Sequence, residues 1–150
     1  MSNLPKVSFG LVNCNRLFYL KSCLESLIYC TEDYDNKEFL VVDNASVEKG
    51  TEEYLEQLRD RGIKVHREEV RDPSNEFARG LNTICEKTDG DFVVPLQSDM
   101  QFFVRGGWLE NYVNFFKKNH DKIGCISLDA QRKIRLDQGN YLFPQNPLCL

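Results

Sequence analysis

Apolar residues follow two alternating rhythms along this chain. Lys6 to Val12 is a compact apolar run of strand length, and after Asn13-Cys14-Asn15-Arg16 the spacing widens to Leu17, Leu20, Leu24, Leu27 and Ile28. That second spacing predicts a helix, with Asn15 as its N-cap, because an asparagine oxygen accepts from a free amide of the first turn. The alternation then repeats. Phe39 to Val42 predicts a second strand, and the charged stretch Glu48 to Arg61, with Tyr54, Leu55 and Leu58 as its few apolar contacts, predicts a surface helix stopped by Gly62. Ile63 to His66 reads as a short third strand. Ser74 is placed to cap a third helix whose core side is Phe77, Leu81, Ile84 and Cys85, ending near Thr88 before the turn signal Asp89-Gly90.

Asp91 to Leu96 predicts a fourth strand, interrupted at Pro95, which lacks the amide that a central strand would use and therefore marks a local irregularity. From Gly107 to Lys118 the residues Trp108, Leu109, Tyr112, Phe115 and Phe116 repeat at helical spacing, read here as core packing, and Ile123 to Leu128 predicts a fifth strand. Strands alternating with helices imply a mainly parallel sheet with right-handed crossovers. The fold class is therefore α/β, a Rossmann-like sheet flanked by helices, expected as one domain over residues 1–150. The tail from Gln131 to Leu150 carries Gly139, Pro144 and Pro147 and reads as interrupted, so the chain is expected to be either a domain from a longer protein or a short natural form.

Composition narrows the function. With 23 acidic against 19 basic residues the net charge is −4, which gives no basic field to attract nucleic acid or an anionic membrane. No apolar stretch approaches the roughly 18 residues of a membrane span, and Met1 to Lys6 lacks the layout of a secretory signal, so a cytoplasmic location is expected. Six cysteines form no CxxC pair and read as reduced, mostly packed thiols. His66 and His120 have no acidic or cysteine pattern around them that suggests a zinc site or a triad.

The chemistry gathers where apolar runs end. Val41-Val42-Asp43-Asn44-Ala45-Ser46 closes one strand with an acid, an amide and a hydroxyl, and Gln97-Ser98-Asp99 closes another in the same way. In a βα sheet ligands bind at this carboxyl edge. The turn after the first strand has no GxGxxG, and no GxxxxGK[ST] occurs anywhere. A dinucleotide-dependent oxidoreductase is thereby disfavoured, and phosphate binding needs another device, most simply a divalent ion.

Asn13 to Arg16, VVDNAS, FARGLN at Phe77 to Asn82 and GDFVVPLQSD at Gly90 to Asp99 resemble, in order and spacing, the family 2 glycosyltransferases of the GT-A fold. The resemblance runs from about Val7 to Leu128 and includes the first helix around Leu20 to Leu27. FARGLN and the polar-x-Asp ending are most similar to the rhamnosyltransferase-like subgroup. The resemblance implies that Asp43 binds the base or ribose of a nucleotide-sugar, with Asn13 and Cys14 lining the base pocket. Arg16, Asn44, Arg79, Gln97 and Ser98 join them as nucleotide-sugar-binding residues, and Asp99 holds Mg2+ or Mn2+ on the diphosphate. Asn82 is expected either to support the loop or to pack near Asp99.

Oxygen ligands suit those hard cations, and one carboxylate suffices because Mg2+ keeps waters and takes other ligands from phosphate. The activity implied is inverting transfer of a sugar to a hydroxyl acceptor. Such enzymes place a catalytic carboxylate in the acceptor half, and among Glu110, Asp121, Asp129 and Asp137 none matches that base motif. The alternative is a non-catalytic module that binds nucleotide or nucleotide-sugar.

Overall fold

The computed structural model describes residues 4–126 and residue 128. Eight elements follow in order: β1 (Val7–Asn13), α1 (Leu17–Cys30), β2 (Lys37–Asp43), α2 (Thr51–Asp60), β3 (Lys64–Arg67), α3 (Glu76–Lys87), β4 (Phe92–Gln97) and α4 (Trp108–Asn119). The chain divides into two compact units, Met1–Arg105 and Gly106–Leu150. The first holds the whole sheet, and the second holds α4, in which Leu109, Tyr112 and Val113 are buried and Trp108 meets Tyr112 edge to face.

All four strands are parallel, in the order β3-β2-β1-β4. The chain moves outward from β1 to β3 and then returns across the sheet to lay β4 on the other side of β1. Right-handed crossovers in opposite directions put their helices on opposite faces, so α3, which leads back to β4, covers the face that α1 and α2 leave open. Strand alternation then divides the core. Val12, Leu40, Val42 and Ile84 pack together with Leu81 on the α3 side. Phe9 and Leu11 point the other way and are fully buried, as are Leu20, Leu24, Leu27, Leu55 and Leu58 of α1 and α2.

The α3 contact rests on two glycines. A Cβ on Gly10 of β1 would lie 2.3 Å from the Ile84 side chain, and a Cβ on Gly80 of α3 would lie 2.9 Å from both Val12 methyls. Helix and strand approach because each offers the other a missing side chain. This shifts the buried face of α3 from the expected Phe77, Leu81, Ile84 and Cys85 to Gly80, Thr83 and Ile84, leaving Phe77 and Cys85 exposed. Ile84 and Leu81 face the core as expected, and the buried face is turned from Phe77 and Cys85 toward Gly80 and Thr83 because the closest contact is made by the residue with no side chain.

Other boundaries move for equally local reasons. Pro95 sits opposite Gly10 in β4, which among the described residues pairs only with β1, so it stands at the outer side of the described sheet, a position where proline is tolerated. The fifth strand expected at Ile123 to Leu128 is absent from its described residues. There Ile123 N–H donates to Asn119 O at 3.0 Å, which commits it to the end of α4, and Gly124 follows. Asn15 is not the cap of α1. It adopts φ 50 and its Oδ1 accepts from Val47 and Glu48 N–H, while the Leu17 amide at the helix start donates to Glu48 Oε2 at 2.7 Å. Ser74 does not cap α3 either, because Asn75 holds that position without a side-chain bond. Five described cysteines are free, but only Cys23 and Cys30 are fully packed, Cys85 and Cys125 being exposed. Among the described residues no helix is long and apolar enough to cross a membrane.

At the amino end of the strands a charge network closes the sheet. Glu38 accepts from Ser8 Oγ at 2.6 Å and pairs with Lys6 Nζ at 2.9 Å and Lys64 Nζ at 2.8 Å, while Ser8 Oγ accepts from Gly90 N–H at 2.9 Å. Burial pushes the Glu38 carboxyl upward, but the hydrogen bonds from Lys64, Ser8 and Lys6 outweigh it and hold the group well below the ordinary carboxylate range.

Two outcomes follow for stability. Gly10→Ala is expected to cost about 1–3 kcal/mol by overpacking, and combining it with Ile84→Ala should cost less than the sum of the two in urea denaturation. A depressed carboxyl stabilises the fold above its unfolded pKa of about 4.3 and loses that contribution as pH falls through the lower folded value. Glu38→Gln should therefore lower stability at pH 7 by about 1–3 kcal/mol and flatten the acid side of the stability profile below about pH 4.3. An unchanged acid limb would remove Glu38 from this role.

Candidate functional site

In a parallel sheet every carboxyl end lies at one edge, and the crevice opens where the strand order reverses. Here that point is between β1 and β4. Asn13 is the residue of β1 opposite Asp43 of β2, and Val12 is opposite Gln97 of β4. Both polar segments singled out in the sequence thus flank the end of β1, and their adjacency is fixed by backbone pairing.

Asp43 is fully buried and richly bonded. Its Oδ1 accepts from Asn13 Nδ2 at 2.8 Å and Ser46 Oγ at 2.6 Å. Its Oδ2 accepts from Ser46 N–H at 3.0 Å and lies 3.5 Å from Arg67 Nε. In this structure Asp43 is therefore the acid of a tight turn. Instead of a bare carboxylate the edge receives Asn13 and Ser46, both positioned by it. The turn is held in a costly shape, since Ala45 sits at φ 50, a left-handed conformation that disfavours side chains by roughly 1–2 kcal/mol.

Asn13 has one amide orientation open to it. Its NH2 must face Asp43 and Ser46, because the reversed amide would set oxygen against carboxylate. Asn13 Oδ1 is thereby left buried without a hydrogen-bond partner, an uncommon state for a buried acceptor. Cys14 lies beside it, half-buried, with Sγ donating to Asn44 O at 3.5 Å. Burial pushes its thiol up, and the nearby Glu76 charge adds to the effect, so Cys14 is a neutral wall rather than a nucleophile. Asn44 is buried and its Nδ2 donates to Glu76 O at 3.3 Å, tying the turn to the start of α3.

On the β4 side, Ser98 is buried and its N–H donates to Val12 O at 3.2 Å, extending the strand pairing by one bond. Cys23 Sγ donates to Gln97 O at 3.8 Å, and burial pushes that thiol up to about 12. The Gln97 side chain is exposed. Asp99 Oδ2 accepts from Arg16 Nη1 at 3.0 Å, and both side chains are substantially exposed, 36% and 56%. Arg79 stands apart from this pair: it binds Glu68 at 2.8 Å and lies 3.8 Å from Asp72. Its expected reach toward a diphosphate requires release from both. Asn82 is exposed on α3.

Glu48 and Arg67 are not among the site residues expected from the sequence, and Ser46, the hydroxyl that ends VVDNAS, has a role that its pattern alone does not give. Ser46 accepts from Asn15 N–H at 2.8 Å while donating to Asp43, which joins the turns after β1 and β2. Glu48 caps α1 from the second loop. Arg67, opposite Asp43 in the β3 register, donates to Ser46 O at 2.7 Å and also pairs with Glu52. A basic residue ending a strand next to an acid-ended strand was the available signal for Arg67.

The donor set bears on a divalent ion. Among the described residues no three His, Cys, Asp or Glu side chains gather into a cage. Asp99 offers one accessible carboxylate beside the neutral Gln97 and Ser98. Such a set fits an ion shared with substrate phosphates and retaining waters, the usual mode of Mg2+.

A family model described as glycosyl transferase family 2 matches residues 8–145. Among solved structures the chain is similar to S. aureus TarS 1-349, with TM-score 0.58 and 24% identity over 77% of this chain and 33% of that one. It is similar also to the mannosyltransferase PcManGT from Pyrobaculum calidifontis in complex with GDP-Man and Mn2+, with TM-score 0.63 and 23% identity over 77% and 33%. TarS 1-349 is also known in complex with UDP-GlcNAc. The chain spans about a third of the length of these structures. No curated protein matches it.

Asp43→Ala is expected to destabilise the fold by about 3 kcal/mol, since it strands buried donors at roughly 1–3 kcal/mol each, and Arg67→Met should do so less. Denaturant midpoints equal to that of the parent protein for Asp43→Ala would show that the turn does not depend on this acid.

Proposed function

Because this chain belongs to glycosyl transferase family 2, we propose that it binds a nucleotide-diphosphate sugar at the carboxyl edge of its sheet and serves inverting transfer of the sugar to a hydroxyl acceptor. The observation that carries this reading is the pairing of β1 with both β2 and β4, which brings Asn13 and Asp43 to one side of a switch point and Gln97, Ser98 and Asp99 to the other. The nucleoside lies toward Asn13, Cys14, Asp43 and Asn44, where the unpartnered Asn13 Oδ1 offers an acceptor and Asp43 holds that wall in place. The diphosphate lies toward Arg16 and Asp99, with Arg79 further out on α3.

Asp99 is the residue that would hold Mg2+ or Mn2+. A divalent ion there would stabilise the negative charge that develops on the departing diphosphate. The chain's own residues bind and orient: Ser98 and Cys23 fix the backbone around Gln97, and the Asp43 turn fixes Asn13. The hydroxyl acceptor and its general base belong to a part of the reaction for which no acid of the described residues is assigned. A rhamnosyl donor is the finer reading and rests on the FARGLN segment.

Calorimetry with UDP-, dTDP- and GDP-sugars, with and without Mn2+, tests the proposal. One nucleotide class should bind more tightly with the ion, and Asp99→Ala should abolish that dependence while keeping the fold. Failure of every nucleotide-sugar to bind would refute the reading. Binding with no turnover toward any hydroxyl acceptor would leave a donor-binding module in place of an enzyme.

A further inference from the structure

The Arg16–Asp99 pair joins two segments whose backbones are fixed independently. On one side Asn15 is held by Ser46 Oγ through its N–H and by Val47 and Glu48 through its Oδ1, and the next amide, Leu17, is held by Glu48. On the other side Ser98 N–H bonds Val12 O, and Phe102 N–H donates to Ser26 Oγ at 3.1 Å. With both backbones anchored in this way, the link between the segments is a contact of two side chains. Both are exposed enough to exchange partners, and an exposed ion pair contributes only about 0.2–1 kcal/mol.

The pair also sets the local charge. With Gln97 and Ser98 neutral, Asp99 is the anion of its strand end, and Arg16 cancels it. An ion arriving alone meets a carboxylate that is already matched, next to a guanidinium that repels it. A diphosphate changes this, because guanidinium pairs well with phosphate oxygens and its transfer to the phosphate releases Asp99.

We propose that Arg16 is a partner-switching latch on the donor site: it holds Asp99 while the site is empty and moves to the diphosphate when nucleotide arrives, so that nucleotide and divalent ion bind cooperatively. The latch rests on the donor and metal reading given above. It makes Arg16 both a competitor of the ion and a ligand of the phosphates, and the coupling is reciprocal.

Mn2+ binding to the full chain, followed by the loss of the free-ion electron paramagnetic resonance signal, tests the latch without reference to turnover. Arg16→Met should bind Mn2+ in the absence of nucleotide about three- to fivefold more tightly than the parent, the size of one exposed ion pair. UDP, GDP or dTDP, whichever binds, should then raise its Mn2+ affinity by less than in the parent. Arg16→Lys should stay near the parent, and Asp99→Asn should erase the gain in the Arg16→Met background. Unchanged or weaker nucleotide-free Mn2+ binding by Arg16→Met, with the Asp99 dependence intact, overturns the latch and spares the metal site. Absence of Mn2+ binding in every variant, with or without nucleotide, overturns the metal reading and the latch with it.

Discussion

A carboxylate at the carboxyl end of a central parallel strand, with no exposure to water, must find donors for its oxygens within the protein. Asp43 finds them in Asn13 from β1 and in the amide and hydroxyl of Ser46 from its own turn, and the Arg67 guanidinium of β3 faces it at 3.5 Å. One side chain therefore ties three neighbouring strand ends together. Its backbone adds a fourth tie, since Glu68 N–H donates to Asp43 O at 2.9 Å. The left-handed Ala45 is tolerated because the bonds on either side of it leave the turn no other path.

The two poles of the sheet use charge differently. Around Glu38, the lysines, Ser8 and the Asp89-Gly90 turn form a closed set that binds the strand starts together. At the other pole, among the described residues, the bonds around Asp43 end on a buried acceptor without a partner, and the acid beyond β4 pairs with an exposed arginine. Networks that are complete stabilise, and those that stop short leave bonding capacity for something else. Between the poles, the reciprocal fit of Gly10 with Ile84 and of Gly80 with Val12 sets α3 against β1 and so fixes where the β2 turn meets the start of α3.

The strands and helices of the first unit were legible from apolar spacing, because parallel strands buried on both faces read as continuous runs. The location of the polar residues was legible as well, since Asp43 and Asp99 both end such runs. Less visible were features carried by residues with little or no side chain, or by partners distant in sequence. Gly80 carries no hydrophobic signal, yet its close approach to Val12 turns the buried side of α3 away from Phe77 and Cys85. Asn15 looks like a helix cap until Glu48, from the next loop, proves to hold that amide instead. Arg67 becomes meaningful only once the register sets it opposite Asp43. The burial of Asp43 itself depends on bonds that no local pattern announces.

Two acid–arginine pairs therefore share one edge with opposite characters. Asp43 and Arg67 are held by further bonds to Ser46, Asn13 and Glu52, so exchange of either partner would strand buried groups. Arg16 and Asp99 hold little besides each other, in water-exposed positions where a break costs little. On the proposed reading, the buried pair would shape the wall of the donor site and the exposed pair would meet the incoming charge. The order of the strands separates them, since β1 stands between β2 and β4, so the buried pair lies on one side of the end of β1 and the exposed pair on the other.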